Sequence, residues 1–280
     1  ATYRRILTGF PVTQSPMDLW AQCRFMSPKL LGDCGDNFFQ FQYRYAVQQK
    51  RHVGSHSFNQ IVGYRNLEEL SVLLKNFSSR VMKDECLDLP SKIYVQRSVQ
   101  LSPDQNRIYN DLKDYALAHI EDHEFMTATN VMTQLLRMQQ VLSGHTKSDS
   151  GEIIEVKDNR IDELIACLDE TEGKAIIWSR FRYDIKRIAS ALTKKYGPQS
   201  TVTYFGDTTD EQRSEAIDRF QNGNAQFFIG NPQTGGHGIT LTAATTVIYF
   251  ANSFDLALRM QSEDRAHRIG QKEHVTYIDL

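Results

Sequence analysis

The chain has 280 residues, enough for roughly two domains of ordinary size, with 40% hydrophobic and 24% charged residues. A formal net charge of −2 excludes bulk basicity as the basis of nucleic-acid binding, so any such site has to be a local patch. Cys23, Cys34, Cys86 and Cys167 form no C-x-x-C pair, which argues against a zinc module or a secreted disulfide framework, and no apolar run reaches the ~18 residues that span a bilayer.

In chain order, Arg4 to Leu7 reads as a strand already under way, followed by a helix over Asp18 to Met26. RYAVQQKRHVGSHSFNQ, Arg44 to Gln60, is polar, partly basic and fits no clean period. Further helices are expected over Asn66 to Phe77, Pro103 to Ile120 and Phe125 to Leu142. Between the first two of these, Leu89-Pro90 and the strand-like Lys92 to Leu101 place a domain junction near residue 87, dividing the chain into 1–86 and 87–280.

From there the chain alternates strand and helix. KAIIWS (Lys174 to Ser179) precedes a helix with Ile185, Ile188, Ala189 and Leu192 on one face, stopping at Gly197-Pro198. VTYF (Val202 to Phe205) precedes a helix opened by a capping box, Thr209 to Gln212, with Ala216, Ile217 and Phe220 as its apolar stripe. AQFFIG (Ala225 to Gly230), the glycine cluster TGGHG (Thr234 to Gly238) and TVIYFA (Thr246 to Ala251) follow. A helix across Leu256 to Ile269 and a strand over His274 to Asp279 complete the pattern. Short continuous apolar strands alternating with helices predict an α/β fold, a parallel sheet with helices on both faces.

Near the end, QSEDRAHRIGQ (Gln261 to Gln271) holds Arg265 and Arg268 three apart, a spacing that shares one helix face. An isolated R-x-x-R is more often a solvated helix face pairing with Glu263 or Asp264. Two arginines beside a phosphate site instead stabilise the charge that develops on a transferring γ-phosphoryl group. The glycines Gly235, Gly236 and Gly238 permit close approach of backbone amides to a phosphate, or an ordinary tight turn. Arg180 and Arg182, where a strand hands over to a helix, suit a phosphate as well. Lys50-Arg51-His52 is a weaker basic cluster. His119 and His123 lack the adjacent Glu and third ligand of a zincin, so no metal site is expected.

QSEDRAHRIGQ resembles motif VI of the Snf2 family of superfamily 2 helicase-like ATPases. AIIWSRF (Ala175 to Phe181) resembles motif IV, TGGHGITL (Thr234 to Leu241) motif V, and RRILTGFPV (Arg4 to Val12) motif III. The motifs arrive in order, and the resemblance covers nearly the whole chain except about Ser27 to Gly63. Departures occur at Phe10, at Thr13-Gln14, at Asn231-Pro232-Gln233 and at Ser253-Phe254-Asp255. They point away from a chromatin-remodelling branch, toward a divergent bacterial or viral one or the annealing-helicase type.

The resemblance implies a RecA-like second lobe over 87–280, preceded by the tail of the first lobe with a helical insertion over 1–86. It implies ATP with Mg²⁺ as cofactors and double-stranded DNA as partner, met on DNA in the cytoplasm of a bacterium or virus-infected cell, or in a eukaryotic nucleus. Arg265 and Arg268 are the catalytic residues it implies. Gly236, Gly238 and Gln261 join them at the nucleotide, while Ser179, Arg180, Arg182, Thr234 and Gly235 meet the DNA backbone. The sequence holds no G-x-x-x-x-G-K-[ST] loop, and its one Gly-Lys pair, Gly173-Lys174, leads into a strand. ATP is therefore expected on an upstream lobe of the same polypeptide, and the segment alone is expected to be inactive. Another superfamily 2 DNA or RNA helicase is the alternative within the enzyme class, with Gln271 counting against RNA. A non-catalytic DNA-binding module is the alternative outside it.

Overall fold

The computed structural model describes residues 3–53, 56–121, 128–148, 150–235 and 238–280. It divides into two compact units, Ala1–Cys86 and Leu87–Leu280.

The first unit contains α1 (Asp18–Met26), a short 3₁₀ segment (Pro28–Cys34), α2 (Phe38–Tyr45), β1 (Ala46–Val53), β2 (His56–Tyr64), α3 (Leu67–Lys75) and α4 (Lys83–Cys86). The Asp18 carboxylate accepts the backbone N–H groups of Thr13 and Gln14, each at 3.0 Å, which anchors the chain ahead of α1. Asn37 caps α2 by accepting the N–H groups of Phe39 and Gln40. Phe41 and Tyr45, one turn apart on α2, then bury against Leu31, Cys34 and Leu70. The strand expected at Arg4 to Leu7 does not form: the segment has no regular secondary structure, and Leu7 is exposed. The stretch without a clear period is a two-stranded antiparallel ribbon, β1 against β2.

The second unit runs β3 (Lys92–Gln96), α5 (Pro103–Glu121), α6 (Ala128–Leu142), β4 (His145–Lys147), β5 (Ile153–Glu155), α7 (Arg160–Asp169), β6 (Lys174–Ser179), α8 (Arg182–Tyr196) and β7 (Thr201–Tyr204). It continues with α9 (Asp210–Gln221), β8 (Phe227–Gly230), α10 (Pro232–Gly235), β9 (Ala244–Ala251), α11 (Leu256–Glu263) and β10 (Val275–Asp279). The start expected for α6, Phe125 to Thr127, lies outside the described residues.

A six-stranded sheet in the order β3-β10-β9-β6-β8-β7 forms the scaffold, and every neighbouring pair is parallel. Residues alternating along each strand go to opposite faces. On one face Ile176, Trp178, Phe228, Val247 and Tyr249 meet Ala216 and Phe220 of α9. On the other, Ala175, Ile177, Ile229, Ile248 and Phe250 meet Leu164 of α7 and Ile185, Ile188 and Leu192 of α8. This double covering is the reason the strands are apolar without polar alternation.

The capping box at α9 is present: Thr209 Oγ1 accepts the Gln212 N–H, and the Gln212 side chain accepts the Thr209 N–H. Lys174 occupies the other end of α9, its ammonium donating to the carbonyls of Phe220 and Gly223. Among the described residues no helix is long and apolar enough to cross a membrane.

Two substitutions grade these contributions. Phe228→Ala, at a fully buried position, is expected to cost about 3–5 kcal/mol in urea unfolding. Thr209→Ala is expected to cost about 1 kcal/mol through the lost cap. Equal effects would mean that the core does not dominate the stability of this unit.

Candidate nucleotide and nucleic-acid site

The sequence pattern predicts one helix from Leu256 to Ile269, but α11 ends at Glu263. Asp255 caps its start by accepting the Leu258 N–H at 3.1 Å. At the other end, carbonyls that would continue the helix have other partners. Arg265 O accepts the Leu241 N–H at 2.9 Å, and Ala266 O accepts Gln271 Nε2 at 3.2 Å. Ala266 is fully buried in the core, and Gly270 adopts φ +100°, which favours glycine. Arg265 and Arg268 therefore sit on a turn pinned by the alanine between them, not on a helix face.

They converge nonetheless. Arg265 Nη1 and Arg268 Nη1 donate to the same acceptor, the Ile239 carbonyl, at 3.2 and 3.1 Å. Arg265 Nε also donates to the Gln261 carbonyl at 2.9 Å. Neither guanidinium forms an ion pair among the described residues. Burial, then the Arg268 charge, lowers the Arg265 pKa, and nearby Asp264 only partly opposes them. Two like charges meeting at one neutral carbonyl form an arrangement that an anion would complete. Gln261 Oε1 is buried and accepts no hydrogen bond among the described residues, leaving an unsatisfied acceptor one turn ahead of Arg265.

The turn is held from below by Glu263. Its side chain is 8% exposed and accepts Lys92 Nζ at 2.9 Å, Tyr94 OH at 2.8 Å and Arg259 Nε at 2.9 Å. Its backbone carbonyl accepts Tyr277 OH at 2.9 Å. Burial alone would raise the Glu263 pKa, but the hydrogen bonds from Lys92 and Arg259 and the Lys92 charge outweigh it and hold it below 4.5. Tyr94 is pushed up to about 12, by burial and by its bond to this carboxylate. Arg259 in turn chelates Asp279 and lies 3.5 Å above the Tyr249 ring. Gln271 closes the turn, donating to the carbonyls of Thr242 and Ala244.

The loop bearing Ile239 leaves the carboxyl end of β8 through α10. A Cβ on Gly235 would lie 2.6 Å from the Trp178 ring, so the backbone approaches the indole as only glycine allows. Gly238 adopts φ +73° immediately before Ile239. Gly236 lies outside the described residues. Thr234 is half-buried, its N–H bonded to Asn231 O. Asn231 Nδ2 donates to Arg180 O at 2.7 Å, tying this loop to the carboxyl end of β6.

At that end of β6, the structure separates three residues that the sequence groups together. Ser179, expected among the DNA contacts, is fully buried, and its hydroxyl donates to Asp184 Oδ2 at 2.7 Å. The other Asp184 oxygen lies 3.2 Å from Nδ1 of buried His145. Arg180 Nη1 donates to Gln139 Oε1 at 2.7 Å, linking the strand end to α6. Arg182 alone is well exposed, at 65%, and pairs with Asp207 at 2.6 Å. Among the described residues no group of three or more His, Cys, Asp or Glu could hold a metal ion.

Two family models together match most of the chain. The SNF2-related domain model matches residues 1–147, and the helicase conserved C-terminal domain model matches residues 156–270. The chain belongs to the Snf2 family. An uncharacterized ATP-dependent helicase of Mycoplasma pneumoniae is 28% identical over 275 residues, 96% of this chain and 24% of that protein. The mouse SWI/SNF-related matrix-associated actin-dependent regulator of chromatin subfamily A member 1 is 25% identical over 300 residues, 100% of this chain and 27% of that protein. This Snf2 chain thus spans about a quarter of the length of these relatives. The Sulfolobus solfataricus SWI2/SNF2 ATPase core in complex with dsDNA superposes with a TM-score of 0.56 at 24% identity, covering 98% of this chain and 56% of that one. The C-terminal part of the Fun30 ATPase domain gives 0.54 at 20% identity, covering 69% and 86%. The six-stranded unit is a RecA-like α/β fold.

In Snf2 terms, the structure joins motif V to motif VI through the shared carbonyl, and motif V to motif IV through Asn231. Sequence reasoning missed the supports: Glu263, Gln271, Asn231 and the buried Asp184–His145 pair. Arg259 and Glu263 stand four apart, a helix-pair signal available in the sequence. The Lys92–Glu263 contact joins residues 171 apart and had no local signal.

Because the Glu263 pKa is lower folded than unfolded, its stabilising contribution is complete above about 4.5 and is lost as pH falls through the folded value. Glu263→Gln should cost about 3–5 kcal/mol at pH 7 and flatten the acid limb of stability, followed by urea unfolding across pH. An unchanged acid limb would show that Glu263 is not the group responsible.

Proposed function

We propose that this chain is the C-terminal half of an ATP-dependent, double-stranded-DNA translocase of the Snf2 type. On this reading residues 87–280 form the second lobe, and residues 1–86 the tail of the first lobe with its helical insertion. The observation that carries it is the convergence of the Arg265 and Arg268 guanidiniums on the Ile239 carbonyl without a carboxylate partner among the described residues. The arginines fit a nucleotide phosphate, since neither has an ion-pair partner among the described residues and both already donate to one shared acceptor.

ATP, with Mg²⁺, supplies the transferable γ-phosphoryl group, and both are held chiefly by the upstream lobe. Arg265 and Arg268 stabilise the charge that develops on the equatorial oxygens, with Gln261, Gly236 and Gly238 beside them at the nucleotide. Because Ile239 lies within motif V, movement of the arginines toward a phosphate is coupled to that loop. The same loop, through Asn231, holds the Arg180 backbone. Arg180, Arg182, Thr234 and Gly235 meet the DNA backbone, while Ser179 acts from the interior by holding Asp184 at the start of α8. Contacts of this kind are phosphate-directed and fall with salt. The protein works on DNA, in the cytoplasm of a bacterial or virus-infected cell or in a eukaryotic nucleus.

In the full-length protein, Arg265→Ala or Arg268→Ala should lower DNA-stimulated ATP turnover by about 10³–10⁵, with duplex-DNA affinity kept within about tenfold. The 280-residue segment alone should be silent. Turnover by the isolated segment, or full activity in both variants, would sink the assignment.

A further inference from the structure

The β1–β2 ribbon has no role in the site described above, and its composition sets it apart. From Asn37 to Asn66 the sequence contains Arg44, Lys50, Arg51 and Arg65 and no Asp or Glu, in a chain whose net charge is −2. Only the base of the ribbon joins the core of its unit, through Ala46 and Ile61. Farther out, residues 47–52 and 57–60 are exposed without interruption. In a strand packed on a core, alternate residues would be buried.

Polar side chains outnumber apolar ones on both faces of the outer ribbon, where Phe58 is the large exposed apolar residue. The register pairs Lys50 with Asn59, Arg51 with Phe58 and His52 with Ser57. One face therefore carries Gln48, Lys50, His52, Ser57 and Asn59, and the other Gln49, Arg51, Gln60 and the exposed Phe58, with Arg51 Nε donating to Gln60 Oε1 at 3.2 Å. Phe58 stands alone between charged and amide side chains, so neither face is a continuous apolar surface for a protein partner, and interface cores are depleted in lysine. Arginine, lysine, glutamine and asparagine are, however, among the side chains that contact phosphate and sugar, and a two-stranded ribbon fits the major groove of a duplex.

We infer that the β1–β2 ribbon is a DNA-binding arm, seated against duplex DNA with Lys50 and Arg51 as its phosphate contacts. Its occupant is a phosphodiester backbone flanking a groove, reached from both faces of one ribbon. Lysine and arginine on the strands also keep the open ribbon from pairing edge to edge with another chain.

The inference extends the proposed DNA-dependent activity to a surface separate from the arginine turn, and the two can fail separately. The test is duplex-DNA affinity of the full-length protein as a function of salt, for wild type, Lys50→Gln/Arg51→Gln and Lys50→Glu/Arg51→Glu. Loss of two phosphate contacts should lower affinity about tenfold at moderate salt and flatten the log–log salt slope by about 2, with the charge-reversed pair weaker still. Unchanged affinity and slope in both variants would overturn the arm while leaving the arginine site standing. A loss confined to single strands would overturn the duplex assignment. Failure of the wild-type protein to bind duplex DNA would remove the arm and the proposed function together.

Discussion

Burying a carboxylate is unfavourable by several kcal/mol unless donors replace its lost water. Glu263 receives three, from Lys92 and Tyr94 on β3 and from Arg259 within its own helix. That requirement brings the first strand of the sheet, the last helix and, through Arg259 and Asp279, the last strand to one point. Because α11 ends on this residue, the position of the following turn is set by the same network. Ala266 in the core and Gln271 over the β9 approach complete the fixation. The guanidiniums of Arg265 and Arg268 are thus presented by a rigid frame rather than by a fraying helix end.

The frame leaves one local electrostatic problem unsolved. Two cations share a single carbonyl, and burial with mutual repulsion lowers the Arg265 pKa. Arrangements of that kind persist when the surrounding structure over-determines them and a ligand relieves them. Elsewhere in this unit Arg187 pairs with Asp158, Arg97 with Glu163 and Glu170, and Arg259 with Asp279, while Lys174 and Arg180 rest singly on neutral acceptors. Two guanidiniums on one shared carbonyl distinguish the turn from a solvated charge run.

Much of the sheet was legible because its residues report burial directly. KAIIWS and TVIYFA are apolar on both faces, and the Thr209–Gln212 box marks its helix start. The first unit was harder for specific reasons. FFQFQYRY alternates aromatic and polar residues like a strand, yet Asn37 caps it and the Phe41–Tyr45 pair, not the alternation, decides that it is a helix. The β1–β2 ribbon buries almost nothing along its length, so no hydrophobic period exists to be read. At motif VI the helical spacing of Arg265 and Arg268 was read correctly as proximity but wrongly as a continuous helix. The carbonyls that end α11 are captured by Leu241 and Gln271, contacts across the fold that no local pattern encodes. Ser179, which the resemblance puts at the DNA backbone, has a buried side chain whose hydroxyl serves the Asp184 carboxylate, a contact that the sequence pattern does not encode.

The central claim is that Arg265 and Arg268 act on charge that develops during phosphoryl transfer rather than on bound nucleotide in general. The direct measurement is the affinity of the full-length protein, with duplex DNA present, for ADP plus aluminium fluoride and for ADP alone. If the claim holds, Arg265→Ala/Arg268→Ala weakens binding of the transition-state mimic by about 10²-fold or more while ADP affinity stays near wild type. Equal losses for both ligands, or no loss for either, would contradict it.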